Sequence, residues 1–396
     1  MTKRICVVRQ DRFPADTHVQ KNVDALVDAG YQVDVVCLRE RGEPAREPYR
    51  GGTITRLPLT HRRTSKARYL FEYAAFFLMS FTLLAYRSLR RRYDIVEVYN
   101  MPDLLVFAAL PAKLRGARVV LYLFELMPEQ AQDDFAWGDG HPLVRLLLWI
   151  ERCAVRFADR VIAVSPYDQR LLLQRTAPRA EPAVVLNVPD EALFTPRPGA
   201  NGHAGLRILT HGSVLRRYGI QTLVRAMPYV LHEVPDAEAW VLGRGEYRPA
   251  LERLADELGV AEHVKFLDWV PLDEVPELIA QADVGVVSTL LPHLLPNKLF
   301  EYAAMAKPVA VAAGPSIGAV FPKDAVAYFQ PGDELDLARR ILELHDDRAR
   351  AQQIGDAARA VYERYRWSIM KQTYLAVHHE LLFGAEEPRR VLEAKT

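Results

Sequence analysis

The sequence predicts an α/β protein built from two doubly wound, parallel-sheet domains, and three observations carry that expectation. Short apolar runs alternate with amphipathic helical segments through both halves of the chain. A Pro/Gly-rich stretch, Thr195-Pro-Arg-Pro-Gly-Ala-Asn-Gly-His-Ala-Gly205, separates the halves. At 396 residues the chain is also too long for one ordinary core. Hydrophobic residues make up 50% and charged residues 26%, the balance of a soluble globular protein. A formal net charge of +1 supplies no global attraction for nucleic acid, so none is expected as a partner. Cys6, Cys37 and Cys153 are too widely spaced for a disulfide framework or a zinc ligand set, which suits a reducing cytoplasm. Met1 to Val8 runs straight into a strand-like segment without the apolar region of a signal peptide.

Residues 4–8 read as the first strand and Arg9 to Asp16 as its exit loop. Thr17-x-x-Gln20 forms a capping box for a helix with Val19, Val23, Leu26 and Val27 on one face, closed by Gly30. His18, in the first turn, either contacts a ligand or caps the helix. Strands follow at 32–38 and 52–57. Residues 69–86 are apolar nearly all round, interrupted by Glu72 and bracketed by Arg62, Arg63, Lys66 and Arg68 before and Arg87, Arg90, Arg91 and Arg92 after. That composition fits a core helix, an in-plane helix with a basic collar on an anionic membrane surface, or one helix doing both. A strand at 94–99, a helix at 104–114, a strand at 117–123, a helix at 142–158 and strands at 160–164 and 183–186 complete this half. Loops 9–16, 99–103 and 124–130 then leave the same edge of one parallel sheet.

The second half repeats the pattern: strand 206–210, helix 219–234, strand 238–242, helix 247–258, strand 264–266, helix 273–281 and strand 284–287. The next unit is the most informative. Pro296 breaks the chain, Asn297 reads as an N-cap, and helix formers run to Met305 before the strand-like Pro308 to Ala312. A lysine in the first turn of that helix, Lys298, opposes the helix dipole at a cost of roughly 0.3–1 kcal/mol unless an anion sits there. Glu301 shares its face. Either the two pair on a solvated helix surface, or Lys298 holds phosphate while Glu301 holds sugar hydroxyls. Two further exit loops, His211 to Gly219 and Gly243-Arg244-Gly245-Glu246, add small residues and arginines at the same edge. Walker A and G-x-G-x-x-G fingerprints are absent, as is an Asp-x-Asp motif in an exit loop, so no metal and no cofactor are expected. A final helix at 367–382 precedes a charged tail, Glu386 to Thr396, expected to be disordered.

The Gly212–Gly219 loop, Pro296-x-Lys298-x-x-Glu301 with Lys307-Pro308-Val309, and Asn187-x-Pro-Asp190 resemble the family 4 (group 1) retaining glycosyltransferases of the GT-B fold. The resemblance spans nearly the whole chain and is strongest from 206 to 335. It implies two Rossmann-like domains facing a cleft. The first, 1–195, would bind the acceptor, with helix 367–384 crossing back onto it; the second, 206–366, would bind a nucleotide-diphosphate sugar as co-substrate; 385–396 would be a tail. By the resemblance Arg217, Lys298 and Glu125 form the catalytic set. The donor site takes in Gly212, Ser213, Arg216, Arg217, Gly243, Trp269, Val270, Asn297, Lys298, Leu299 and Glu301, and Gly318 to Val320 lie in the donor-sugar loop. The acceptor site takes in Phe13, Asp16, His18, Asn100, Glu125 and Glu129. The chain departs from the family pattern at four places. Phe124-Glu125 replaces a His-Asp pair, His293 replaces the first acid of a Glu-x7-Glu pattern, Phe13 to Asp16 lacks paired glycines, and Ser213 replaces an arginine. The implied role is cell-envelope or exopolysaccharide glycan synthesis on a lipid-linked or glycan acceptor at the cytoplasmic membrane face. A catalytically weak nucleotide-sugar-binding partner or scaffold, a transferase for a soluble natural product, and a sugar-nucleotide epimerase remain as alternatives.

Overall fold

The computed structural model describes residues 2–59, 66–90, 92–135, 137–138, 140–197 and 205–384. Arg62, Arg63, Arg91, the middle of the expected linker and the expected tail lie outside the described residues. The chain divides into two compact units: residues up to Leu186 together with those from Met370 onward, and Asn187–Ile369 between them. The break therefore falls before the Pro/Gly stretch, directly after the last strand of the first sheet.

In the first unit the strands are β1 (Arg4–Arg12), β2 (Gln32–Leu38), β3 (Arg46–Tyr49), β4 (Gly52–Leu57), β5 (Ile95–Tyr99), β6 (Arg118–Leu123), β7 (Arg160–Ala163) and β8 (Ala183–Val184). They form one sheet in the order β3-β4-β2-β1-β5-β6-β7-β8. All neighbours are parallel except the β3–β4 hairpin. That hairpin escapes the hydrophobic pattern because β3, Arg-Glu-Pro-Tyr, is a polar edge strand; its signal is the two-residue turn at Arg50 (φ 45°) and Gly51 (φ 86°). Helices α1 (Thr17–Asp28), α2 (Lys66–Arg90), α3 (Leu110–Leu114), α4 (Met127–Phe135), α5 (Pro142–Phe157) and α6 (Pro166–Thr176) fill the crossovers, with a 3-10 segment at Asp103–Ala109 ahead of α3. The first strand outruns its expected length by four residues, 9–12. Asp16, one residue before the expected capping box, caps α1 by accepting from Val19 N.

The second unit holds β9 (Arg207–His211), α7 (Ile220–Glu233), β10 (Glu238–Leu242), α8 (Arg248–Glu257), β11 (Val264–Leu267), α9 (Val275–Gln281), β12 (Val284–Val287), α10 (Asn297–Ala304), β13 (Val309–Ala312), α11 (Pro315–Gly318), β14 (Ala327–Phe329), α12 (Glu334–Asp346) and α13 (Arg348–Glu363). Its six-stranded sheet runs β11-β10-β9-β12-β13-β14, parallel throughout, and buries Ile208, Val241, Val286 and Ala310 against Leu223, Met227 and Ile341 of the helices. Both sheets have the doubly wound, Rossmann-like order in which strands extend outward from a central switch.

The last helix, α14 (Trp367–Phe383), packs in the first unit as expected. Tyr374 Oη donates to Glu97 Oε2 at 2.7 Å and His378 Nε2 meets the same oxygen at 2.7 Å, all three residues being fully buried. At the carboxyl edge of this sheet sits a second buried polar group. Arg175 reaches Glu151 through Nε and Nη2 (2.7 and 2.6 Å) and both oxygens of Glu129. Asp103 and Asp168 lie in the field of these carboxylates. Burial first, then Glu129 and Glu151, pushes both up to about 7, although Asn100 and Ser165 bond to them and Arg175 attracts them.

That elevation has a defined sign. Between the ordinary aspartate value and about 7 the native state holds protons that the unfolded chain releases, so native stability falls as pH rises through this window. The slope is up to about 1.4 kcal/mol per pH unit for each group. Replacing Asp103 and Asp168 together by Asn should flatten the decline from pH 4 to 7. The double variant should also be the more stable protein at pH 8, read as urea midpoints across the pH series. An unchanged slope would remove these two groups from the account.

Candidate functional site

The order of the second sheet reverses between β9 and β12, so the chains leaving these neighbours part and open a crevice at their carboxyl ends. β9 brings Thr210 and His211 there, followed by Gly212. The chain leaving β12 reaches α10, whose first turn carries Lys298. Pro296, and not Asn297, is the cap residue; its carbonyl accepts from Leu299 N at 3.1 Å, and Asn297 becomes the exposed first helical residue. Leu299 is fully buried with its N–H spent in this bond. It offers a ligand neither side chain nor donor, which corrects its expected place in the donor site.

Lys298 and Glu301 do not form a solvated pair on the helix surface. Lys298 Nζ turns to β9, 3.4 Å from Thr210 Oγ1, and its Cε lies 3.8 Å from where a Gly212 side chain would begin. Burial pushes the ammonium down to about 8 against the opposing attraction of Glu301. Glu301 Oε2 faces His211 Nε2 at 3.4 Å, and burial pushes its carboxyl up to about 7 against the pull of Lys298. Burial, with Lys298 adding to it, holds the His211 imidazole down to about 3, so it is neutral. An entering anion would favour the charged lysine, and entering hydroxyl donors the charged carboxylate.

Two glycines draw the surrounding loops together. At Gly243 (φ 135°) a Cβ would meet Gly212 O at 2.0 Å, and at Gly219 (φ 69°) one would meet Ser288 O at 1.8 Å. Only glycine permits these approaches, which press the exits of β10 and β12 onto the β9 loop. Arg217 is half-buried on that loop, its carbonyl accepting from Leu290 N at 3.1 Å and its guanidinium 5.5 Å from the Tyr218 ring. Ser213 and Arg216 are exposed. After β11, Asp268 accepts from Arg244 Nε at 2.6 Å and from Trp269 N at 2.9 Å, leaving Trp269 exposed and Val270 half-buried.

At the carboxyl edge of the first sheet, Arg9 is the organising residue, one that sequence reasoning passed over as part of a charged loop. Its Nε donates to Asp16 Oδ2 and Nη1 to Asn100 O, both at 3.0 Å, and its guanidinium lies over Phe124 at 4.6 Å. Asn100, fully buried, accepts from Phe124 N at 2.7 Å and donates to Glu125 O at 2.6 Å and Asp103 Oδ1 at 2.9 Å. His18 Nε2 lies 2.9 Å from Tyr122 Oη, with its ring edge-on to Phe124. Asp16, His18, Asn100 and Glu125 thus meet around Arg9 and Phe124, with the Glu125 residue exposed. Phe13 and Glu129 have other tasks. Phe13 is buried against Tyr49, and both Glu129 oxygens are bound to Arg175.

Comparison with known proteins gives this arrangement a family. Residues 15–188 match the glycosyl transferase 4-like domain and residues 205–347 the glycosyl transferases group 1 model. The chain is 28% identical over 310 residues to a GDP-mannose-dependent alpha-(1-6)-phosphatidylinositol monomannoside mannosyltransferase of Mycobacterium tuberculosis, a match spanning 72% of this chain and 76% of that protein. It is 32% identical over 157 residues to the protein of the same name from Mycolicibacterium smegmatis, covering 37% of this chain and 41% of that one. Among solved structures, a sucrose-phosphate synthase from Thermosynechococcus elongatus superposes with a TM-score of 0.78 at 20% identity, over 97% of this chain and 100% of that one, and so shares its fold. Two family models in tandem over two Rossmann-like units, with the GT-B fold around them, place this chain in the group 1 glycosyltransferases, to which it belongs.

Proposed function

We propose that this glycosyltransferase moves a sugar, with retention at the anomeric carbon, from a nucleoside-diphosphate sugar in its second unit to a hydroxyl of a lipid-linked or glycan acceptor at an anionic membrane surface. The observation that carries the donor half of this reading is Lys298, a cation drawn out of water at a helix N-terminus beside a glycine loop, at the switch point of a doubly wound sheet. In the transfer, the bond from the anomeric carbon to the diphosphate breaks and a bond to the acceptor oxygen forms, with the acceptor proton passing to the departing diphosphate. Negative charge grows on that leaving group, and fixed cations nearby stabilise it more in the transition state than in the ground state. Lys298, Arg216 and Arg217 have that task in this reading, and Glu301 accepts from the ribose hydroxyls. The mycobacterial relatives, named for GDP-mannose as donor and a phosphatidylinositol mannoside as acceptor, support both halves.

The membrane half rests on α2. Its buried row is Glu72, Phe76, Ser80, Leu84 and Ser88, spaced four apart, while Leu70, Phe71, Leu78 and Leu89 point outward at 59–71% exposure. Exposed Leu143, Leu146 and Trp149 of α5, and Leu110 and Leu114 of α3, extend the apolar surface over helices that pack against the same core. Of the expected basic collar, Arg68 pairs with Glu72 and Arg87 turns inward to Tyr93 and Thr55, so Arg90 and Arg92 supply the exposed charge at the carboxyl end. Each exposed arginine near an anionic surface contributes roughly 1 kcal/mol.

Arg217→Ala and Lys298→Ala should each weaken nucleoside-diphosphate binding by about 1.5–3 kcal/mol, the range for hydrogen bonds to charged groups, and leave free nucleoside binding nearly unchanged. Calorimetry with UDP and GDP against uridine and guanosine decides it, and wild-type affinity in both variants would refute the site. Glu301→Gln should cost more on a ribonucleotide donor than on its 2′-deoxy counterpart; equal losses would deny Glu301 the ribose. Liposome co-sedimentation should require anionic lipid, weaken with salt, and fall in a Phe71→Ser/Leu78→Ser variant, because exposed charges are screened and the apolar face is lost. Equal recovery with neutral and anionic vesicles at low salt would instead favour a soluble acceptor.

A further inference from the structure

The donor site contains a residue that neither its charge nor its motif announces. His211 closes β9 with 8% of its surface exposed, paired in register with Leu242 of β10. Its ring stands edge-on to Tyr302, centroids 5.0 Å apart, and Tyr302 is itself fixed by its hydroxyl donating to Leu209 O at 2.8 Å. The imidazole is therefore held in place. Its Nε2 is buried, approaches Glu301 Oε2 to 3.4 Å, and completes no hydrogen bond among the described residues. A buried donor left unmade costs about 1–3 kcal/mol, and native proteins rarely retain one without a use.

We propose that His211 is a positioning residue of the donor site, a neutral Nε2–H donor that closes onto Glu301 when ligand hydroxyls arrive and orients the carboxylate toward them. This rests on the reading of Lys298 and Glu301 as a nucleotide site. The titratable groups facing the ring are Lys298 and Glu301 of α10, with Tyr302 packed beside it. Because burial and Lys298 keep the imidazole uncharged, it can stabilise the anionic form of Glu301 without adding a cation that would compete with Lys298 for it. An apolar residue at 211 would leave the carboxyl more readily protonated and free to turn away. The site would then lose its preference for a ribose bearing both hydroxyls while keeping its hold on the diphosphate.

The test is nucleotide binding by calorimetry from pH 5.5 to 8.5, with UDP and GDP and their 2′-deoxy counterparts as probes, on wild type, His211→Val and His211→Gln. In wild type, affinity for the ribonucleotides should rise through the range in which Glu301 ionises, near 7. His211→Val should weaken ribonucleotide binding at pH 7 by about three- to tenfold, the worth of one net hydrogen bond, and move the rise to higher pH. It should change 2′-deoxynucleotide binding little, and His211→Gln, which keeps an N–H donor, should recover most of the loss. Wild-type affinity and pH dependence in His211→Val would overturn the proposal. So would equal losses on both sugar forms without rescue by Gln, the pattern of mere packing damage. Absence of any nucleotide binding by the wild type would instead overturn the nucleotide site itself.

Discussion

Taking an ammonium group out of water at the positive end of a helix is unfavourable twice over, through lost hydration and through the helix dipole, and among the described residues no nearby carboxylate fully compensates Lys298. Glu301 is one turn away but is itself held back from ionising by burial, and it faces a histidine in place of the lysine. The rest of the second unit can be understood as the scaffold that keeps this unfavourable arrangement in place. A parallel sheet buried on both faces fixes the ends of β9 and β12, glycines at 219 and 243 let three loops crowd against one another, and Pro296 starts α10 where its first turn must face β9. The same stiffness that stabilises the fold thus keeps a charge available for an anion.

The first unit solves a different problem with the same topology. Its last helix comes from the far end of the chain and must be recognised by the sheet without a covalent neighbour. Glu97, in the middle of β5, provides that recognition by gathering Tyr374 and His378 onto one carboxylate oxygen in a fully buried setting. A buried carboxylate is costly alone and tolerable only with partners, so α14 can dock in one register, the one that presents both donors. Where the chain crosses to and from the first unit, Leu186 N lies 3.4 Å from Met370 Sδ, and Tyr122 Oη donates to Val185 O at 3.0 Å, so both crossing points are fastened to the same sheet edge.

Much of this was legible in the sequence, and the boundary of legibility has a physical cause. Strand and helix alternation, the switch-point loops and the placement of Lys298 and Glu301 on one face are local properties, set by side-chain period and by residues a few positions apart. His211, Arg9 and the binding of Glu129 to Arg175 are not. Arg175 and Glu129 are 46 residues apart in the chain, and Asn22 and Tyr99, which also bond, are 77 apart. A charged residue in an exit loop looks the same whether it meets a ligand or a distant partner, so nothing local tells Glu129, bound to Arg175, from a ligand contact, or singles out Arg9 from the rest of its loop. The polar β3 strand was missed for a related reason: an edge strand needs no apolar alternation when only its hydrogen bonds hold it.

Helix α2 shows where composition stops and arrangement begins. Its residues are apolar nearly all round, so periodicity could not say which face meets the core. In the structure the inward row carries two serines and a glutamate beside Phe76 and Leu84, while Leu70, Phe71, Leu78 and Leu89 face out. A helix whose only role was to pack on the sheet would place its largest apolar side chains inward, since burial of each is worth about 1.5–3 kcal/mol. Here the small polar residues let the helix lie close to the 3-10 segment and α3, Phe77, Met79, Phe81 and Leu83 flank them partly buried against the same core, and Leu70, Phe71, Leu78 and Leu89 are left outside. An exposed apolar row of this kind adds nothing to the fold in water and becomes favourable only against another apolar surface. The packing of α2 on its own core therefore accounts for its inner and flanking rows and not for Leu70, Phe71, Leu78 and Leu89.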